Sequence, residues 1–263
     1  MPSRSLFYLK NDYLCTITKN ELLQAMKELH IITPVKDSIE STLLTIEAIM
    51  ASQLSIAHTY TVYNDFSIPE NTARLEEAAK RYGFRLVNLS DLTSHPSPNY
   101  LLVLQTVQRE ALAADAGVCI VESDVIVRPD TLQGLVDGAT AHEQCGIAAS
   151  VTVDDNGDIN YPYLYAKGME NRVVDTKRHC SFCCSLLTPA LLHAYAFTEL
   201  NPEKNWFDVT ISHESLKHGL HNYLFTSLPV IHRPHQSRPW KQLKYKNPLK
   251  YYWLKFTKGL DKI

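Results

Sequence analysis

The sequence predicts an α/β domain with a mostly parallel central sheet, helices on both faces and a basic helical tail at the C-terminus. In the first half of the chain, short apolar runs alternate four times with segments of helical periodicity, which is the pattern of a parallel sheet. The runs lack polar alternation, as expected for strands that are buried on both faces. A chain of 263 residues with 45% hydrophobic content can bury one full core.

Cap residues mark the ends of the predicted elements in this half. Gly83 is typical of the position that follows a helix. The pairs Asp37/Glu40 and Ser67/Glu70 each resemble a capping box at a helix start. The predicted strands cover residues 29–33, 59–63, 84–89 and 117–121, and the predicted helices cover residues 37–52, 67–82, 99–114 and 130–143.

The second half departs from simple strand–helix alternation. Thr188 followed by Pro189 is typical of a helix start. The acidic segment 154–158 lacks the glutamate of a calcium loop, so we interpret it as a turn whose following strand pairs back. The predicted strands here cover residues 146–153, 159–165, 180–187, 221–225 and 229–232, and the predicted helices cover residues 189–197 and 209–219.

Several familiar functional motifs are missing from the sequence. It has nine glycines but no GxGxxG and no P-loop, which argues against a Rossmann dehydrogenase or a P-loop kinase. The lack of GxSxG argues against an α/β-hydrolase. The apolar run at residues 6–9 is too short for a signal peptide and is followed by charge, so we expect a cytoplasmic protein.

The six cysteines do not form the pattern of a secreted disulfide framework. The cluster of His179, Cys180, Cys183 and Cys184 has the residue types of a zinc site. However, Cys183 and Cys184 are adjacent and lie in an apolar run, which favours buried free thiols in a strand.

Charge is distributed unevenly along the chain. Residues 233–263 contain nine Lys or Arg residues and one acid, giving +8, whereas the remainder has 17 basic and 27 acidic residues, giving −10. Aromatic residues alternate with the basic ones in this tail. It suits either the anionic inner face of a membrane or a helix that packs its aromatic side chains on the body of the protein. No nucleic-acid-binding motif accompanies the charge, so we expect no nucleic-acid partner.

Three short segments that contain polar or charged residues follow predicted strands of the first half. These are Pro34-Val35-Lys36, Asn64-Asp65 and Glu122-Ser123-Asp124. Because parallel strands end at one edge of the sheet, where α/β proteins bind ligands, we expect these residues to converge. Two carboxylates suit a divalent cation that holds a diphosphate. The pattern therefore predicts a nucleotide-diphosphate site, with a solvated loop lysine as the alternative for Lys36.

The order of these motifs resembles that of the family 2 glycosyltransferases, which have the GT-A fold. The resemblance extends from about Ile31 to His232, and His232 lies where many members place a metal-ligating histidine. The matching motifs are the Pro-Val turn after the first strand, Asn64-Asp65-Phe66-Ser67 in place of Asp-Asp-Gly-Ser, Glu122-Ser123-Asp124 in place of DxD, and Phe207-Asp208 in place of Glu-Asp.

The resemblance implies an inverting transfer of a sugar from a nucleotide-diphosphate donor to an acceptor hydroxyl, in polysaccharide or glycolipid synthesis. Asp208 would be the catalytic base, and Asp124 and His232 would hold Mn²⁺ or Mg²⁺. The acceptor would be a saccharide or a lipid-linked saccharide. The residues that the resemblance assigns to the donor are Pro34, Val35, Lys36, Asp65, Glu122, Ser123 and Asp124.

The resemblance also divides the chain into four parts. Residues 1–28 would be an N-terminal extension, residues 29–145 the nucleotide-sugar-binding half, residues 146–235 the acceptor-binding and catalytic half, and residues 236–263 the basic aromatic tail.

Two other functions stay open at this point. The departures from the family pattern at Asn64, Phe66 and Phe207 suit a catalytically impaired relative that only binds nucleotide sugars. A sugar nucleotidyltransferase is less well supported, because it needs a glycine-rich phosphate loop after the first strand. For Asp208, capping of the helix that follows is the alternative to catalysis.

Overall fold

The strands of the first half form the parallel part of a nine-stranded sheet. The computed structural model describes residues 26–203, 206–233 and 247–258, so most of the predicted extension 1–28 and much of the tail 236–263 lie outside the described residues. The strands are β1 (Glu28–Val35), β2 (Ala57–Asn64), β3 (Arg85–Asn88), β4 (Ala116–Val121), β5 (Val125–Ile126), β6 (Cys145–Val153), β7 (Val173–Asp175), β8 (Cys184–Leu187) and β9 (His221–His232).

Seven helices pack around or follow this sheet in the described part of the chain. They are α1 (Ile39–Met50), α2 (Pro69–Tyr82), α3 (Tyr100–Ala114), α4 (Thr131–Ala141), α5 (Pro189–Ala194), α6 (Phe207–Lys217) and α7 (Pro248–Lys258). The predicted helices of the first half are thus confirmed to within a few residues. Gly83 ends α2 in a left-handed conformation with a φ of 78°, as its position in the sequence predicts.

The strand order is β3-β2-β1-β4-β8-β6-β9-β5, with β7 paired to β9 outside this path. Strands β3, β2, β1 and β4 are parallel to one another, and β6 is parallel to β9. Strand β8 runs antiparallel to both of its neighbours, β4 and β6. The parallel strands β3, β2, β1 and β4 therefore all end at one edge of the sheet. Strand β8 joins this half of the sheet to the half that contains β6 and β9.

The central strand β4 is buried on both faces, as its unbroken apolar run predicts. Val118 and Ile120 face one core with helix α3, whereas Cys119 and Val121 face the other core with helices α1 and α4. This alternation between two cores is the period of two that an extended strand imposes on its side chains. The residues after Val121 lie beyond the end of this strand, and Ser123 and Asp124 there are still buried.

Both predicted capping boxes are wrong. Neither N-cap residue, Ser38 of α1 or Ile68 of α2, forms a side-chain capping hydrogen bond. Instead, the Asp37 backbone N–H donates to Ser67 Oγ over 2.9 Å, and Asp37 Oδ1 accepts from the Ile68 N–H over 2.8 Å. The two loops lie side by side because β1 and β2 are adjacent, so their capping residues bind one another rather than their own helices.

The predicted pairing of residues 159–165 with the strand before them is also largely wrong. Only Ile159 forms an isolated bridge, to Val153, and a short 3₁₀ helix follows at Leu164–Ala166. Strand β6 is instead paired on its two sides by β8 and β9. The two short strands predicted at residues 221–225 and 229–232 are one strand, β9, whose register shifts opposite Ser150 and Thr152.

The described part of the tail is the helix α7. Tyr251 is buried, whereas Tyr252 and Trp253 are 56% and 65% exposed. Among the described residues, no helix is both long enough and apolar enough to cross a membrane.

Candidate metal and donor site

The strand-end motifs of the first half meet at one edge of the sheet. Val35 at the end of β1 pairs with Asn64 at the end of β2, and Ile32 of β1 pairs with Ile120 of β4. Val35 itself is buried in the core, whereas Pro34 is partly exposed and Lys36 is exposed. The strand ends that carry these motifs therefore lie at one edge of the sheet, as parallel strands predict.

Asp124 and His232 form the centre of this edge. After β4 the chain turns, with the Val125 N–H donating to the Glu122 carbonyl, and β5 then pairs antiparallel with β9 so that Val125 lies opposite His232. The Arg233 N–H donates to the Asp124 carbonyl over 3.0 Å. These backbone bonds place His232 Nε2 3.6 Å from Asp124 Oδ2, with both side chains buried.

A hydrogen bond at Nδ1 fixes the orientation of the His232 ring. Its Nδ1 lies 2.9 Å from the Tyr161 carbonyl oxygen. A carbonyl only accepts, so Nδ1 carries the proton of the neutral ring, and Nε2 is left with its lone pair toward Asp124. Asn160 holds the same strand end by donating its side-chain amide to the His232 carbonyl over 3.0 Å. Such outer contacts are typical of histidines that bind metal ions.

Cys183 belongs to this centre, which the sequence analysis did not predict. Its Sγ lies 3.4 Å from Glu122 Oε2, 3.2 Å from Ser181 Oγ and 4.0 Å from His232 Nε2. The prediction that the cysteines are free and buried is confirmed for those in the described residues. Within that part of the chain, the side chains that converge as metal ligands are Glu122, Cys183 and His232, and not the His179 cluster.

Negative charge accumulates in the centre. Burial raises the pKa of Glu122, and the neighbouring Asp124 carboxylate raises it further. Burial alone would lower the pKa of His232, but the Asp124 and Glu122 carboxylates outweigh this and raise it. The Asp124 carboxylate thus contributes to both shifts, and a bound cation would offset its charge.

Asp208 and Tyr100 lie near the same charges, each in the first turn of a helix. The charges of Glu122 and Asp208 add to burial in raising the pKa of Tyr100, whose hydroxyl has no hydrogen-bond partner among the described residues. The N-cap of α6 is Trp206, so Asp208 is not its capping residue, although its Oδ1 accepts from the Val209 N–H. Tyr100 was not a predicted site residue, since a lone tyrosine at a helix start carries no sequence signal.

Asp65 and Lys36 bind neighbouring loops. The Asp65 carboxylate accepts from Ser97 Oγ over 2.7 Å, from the Asn99 N–H over 2.9 Å and from Asn99 Nδ2 over 2.8 Å. Lys36 Nζ donates to the Phe66 carbonyl over 3.1 Å. The carboxylate predicted to contact a nucleotide therefore also holds the loop that precedes α3.

The residues present fit a divalent cation. Carboxylate oxygen and imidazole nitrogen bind such ions at about 2.0–2.2 Å, so neighbouring ligands lie roughly 3–3.5 Å apart around one ion. The 3.6 Å between His232 Nε2 and Asp124 Oδ2 is close to that separation. The Glu122 carboxylate lies within 4.8 Å of a His232 ring nitrogen and offers a further oxygen nearby.

The sheet topology is that of the GT-A fold. No protein-family model matches the sequence, and no curated protein matches it either. Solved structures do match this chain in three dimensions. Their sequences are 10–14% identical to it, so the likeness is one of fold alone.

S. aureus TarS 1–349 matches with a TM-score of 0.58 and 12% identity, over 83% of this chain and 64% of that one. The same TarS fragment in complex with UDP-GlcNAc matches with a TM-score of 0.58 and 14% identity, over 79% and 59%. GalNAc-T7 with UDP, GalNAc and Mn²⁺ matches with a TM-score of 0.59 and 10% identity, over 80% and 44%. This chain thus spans less than two thirds of the length of each of these structures.

Replacing Asp65 with alanine is expected to lower the free energy of unfolding by about 2–4 kcal/mol, measured by urea denaturation without nucleotide. Asn99 is buried and would lose charge-assisted partners that no water replaces. Asp91→Ala, at an exposed position in the same region, is the control and should change stability by less than about 0.5 kcal/mol. Equal stability of the two variants would show that the Asp65 network does not hold the loop.

Proposed function

We propose that this protein is a metal-dependent, inverting glycosyltransferase that moves a sugar from a nucleotide-diphosphate donor to an acceptor hydroxyl. The observation that carries the proposal is the close approach of Asp124 and His232, beside the Glu122 carboxylate, at the carboxyl edge of a GT-A sheet. Similar folds have been solved with UDP-GlcNAc and with UDP, GalNAc and Mn²⁺, which supports the same class of donor and cation.

The donor would lie along the strand ends. Lys36 and the backbone of Pro34 and Val35 would face the nucleotide, together with the loop that Asp65 holds. Glu122 and Ser123 would lie against the ribose and diphosphate. Mn²⁺ or Mg²⁺, held by Asp124 and His232, would neutralise the charge of the leaving diphosphate as a Lewis acid.

Asp208 is the proposed general base. An inverting transfer is one in-line displacement, so a single base that takes the acceptor proton is sufficient. The position of Asp208 in the first turn of α6 places its charge close enough to influence Glu122. The Phe207 ring packs against the Tyr100 ring with their centroids 6.2 Å apart, which fixes the start of α6 against α3.

An open groove of about 360 Å³ adjoins the centre and is the proposed acceptor site. Asn160 and Tyr161 contribute to its lining and also hold His232, so the groove and the metal site share a wall. An aromatic ring among carboxylates, an amide and a lysine suits a polyhydroxylated acceptor, either a saccharide or a lipid-linked saccharide in polysaccharide or glycolipid synthesis. The groove is lined by Asp154, Asp158, Ile159, Asn160, Tyr161, Leu164 and Lys167.

The exposed face of α7 supports contact with an anionic membrane. Tyr252 and Trp253 are exposed next to Lys250, which is the combination of residues that binds at the lipid–water interface. Such contact would bring a lipid-linked acceptor to the groove.

A first test is a panel of nucleoside diphosphates measured by thermal shift with Mn²⁺. The matching nucleotide at about 100 times its Kd should stabilise the protein by about 2.7 kcal/mol, roughly 5–10 °C in Tm. Asp124→Ala should abolish this shift because the cation loses a ligand. Asp130→Ala, an exposed acid a few residues further on, should keep it. No shift in wild type with any nucleotide of the panel would contradict the proposal.

A second test separates binding from chemistry at Asp208. Asp208→Asn should keep the Mn²⁺-dependent nucleotide shift and lower kcat for sugar transfer by about 10²–10⁴-fold, since the acceptor proton then has no base. Glu214→Gln, on the same helix, is the matched control and should leave kcat unchanged. Full activity of Asp208→Asn would show that another residue is the base. If the wild type binds the donor but transfers sugar to no acceptor, the protein would instead be a nucleotide-sugar-binding protein.

A third test concerns the membrane. The double replacement Tyr252→Ser and Trp253→Ser should weaken binding of the full chain to anionic phospholipid vesicles about tenfold, measured by co-sedimentation, because exposed apolar area is lost. Leu92→Ser removes a comparably exposed apolar side chain elsewhere and should have no effect. Equal sedimentation of the double variant and wild type would rule out α7 as the contact.

A further inference from the structure

Three different ligand types meet at the edge of the sheet. The carboxylate oxygen of Glu122, the sulfur of Cys183 and the ring nitrogen of His232 all lie within 4.8 Å of one another. Cys183 and His232 are buried and Glu122 is partly exposed, so the group opens to solvent on one side only.

The separations are those of a tetrahedral zinc site. Zinc binds sulfur at about 2.3 Å and imidazole nitrogen at about 2.0–2.1 Å, so two such ligands lie roughly 3.5 Å apart around the ion. Here Cys183 Sγ is 3.4 Å from Glu122 Oε2 and 4.0 Å from His232 Nε2. Small side-chain movements would let the three atoms bind one ion, with the fourth position left for water.

The backbone holds these ligands in place. The Glu122 N–H donates to the Cys183 carbonyl over 3.0 Å, and the next residue, Cys184, pairs with Val121 where β8 meets β4. The Tyr161 carbonyl holds the His232 ring. Ligands that are fixed before the ion arrives lose little conformational entropy on binding.

The sulfur changes which cation the centre prefers. Mn²⁺ and Mg²⁺ favour oxygen ligands, whereas thiolate favours softer ions such as Zn²⁺ and Cd²⁺. His232 Nε2 has one lone pair and can bind only one ion at a time. An ion bound through Cys183 therefore takes His232 away from an ion bound through Asp124.

We propose that Glu122, Cys183 and His232 form a zinc-binding site that excludes the cation held by Asp124 and His232. The zinc-binding part of this proposal rests on the geometry alone. The exclusion of the donor-binding cation rests on the function proposed above. On binding, the Cys183 thiol, which donates to Glu122 without metal, releases its proton to solvent.

The test uses the full-length protein, stripped of metal and without nucleotide. Added Cd²⁺ should give the ultraviolet sulfur-to-cadmium charge-transfer band, and Zn²⁺ should bind with a stoichiometry of one by calorimetry. Cys183→Ser should remove the band and weaken Zn²⁺ binding at least about tenfold, since the soft ligand is lost. Cys184→Ser, which removes the adjacent thiol, should keep both. Equal thermal stability of the two variants provides the folding control.

A second measurement addresses the shared histidine. Mn²⁺ bound to the protein is followed by electron paramagnetic resonance while Zn²⁺ is added, and one equivalent of Zn²⁺ should release it from wild type but not from Cys183→Ser. Absence of the charge-transfer band in wild type, or its persistence in Cys183→Ser, would overturn the zinc site. Simultaneous binding of both ions would overturn the exclusion. Neither measurement needs a nucleotide, so failure of the proposed glycosyltransferase function would be seen separately.

Discussion

The short antiparallel pairing of β5 with β9 is the contact on which the centre depends. It contains only two paired positions, Val125 with His232 and Ile126 with Ile231. Yet it joins the turn after β4 to the last strand of the sheet, and the Arg233-to-Asp124 backbone bond extends it by one residue. Asp124 and His232 are distant in the chain, and this pairing is what brings them together.

A second constraint acts on the loops of the parallel half. Asp37, Ser67 and Ile68 bind one another across two loops, and Asp65 holds the segment that leads into α3. Such bonds use the polar groups that a sequence pattern assigns to helix caps or to a ligand. These bonds hold the loops in one conformation at the edge of the sheet. The loops therefore shape the site even where their side chains already have hydrogen-bond partners.

The sequence is sufficient to predict much of the parallel half and the chemistry at its edge. Apolar runs determine their strands locally, and parallel strands end at one edge, so the placement of Lys36, Asp65 and Asp124 at that edge follows from pattern alone. The wrong predictions concern strands and side chains whose partners are distant in the chain. Nothing local shows that β6 pairs with β8 and β9 rather than with residues 159–165. The same limit hid Cys183, whose proximity to Glu122 arises only from the pairing of β8 with β4.

The glutamate in the acid-x-acid motif and the cysteine before β8 are best understood together. A glutamate is one methylene longer than the aspartate that the family pattern has at this position, and here its Oε2 lies within 3.4 Å of the Cys183 sulfur. A shorter side chain from the same backbone would end further from that sulfur. Glu122 thus brings an oxygen ligand close to a thiol. The Nε2 atom of His232, whose ring is held by Tyr161, lies 3.6 Å from Asp124 Oδ2 and 4.0 Å from the Cys183 sulfur, so His232 can complete either set. The geometry that fits a diphosphate-binding cation thus includes, in the same few ångströms, a competing set of softer ligands.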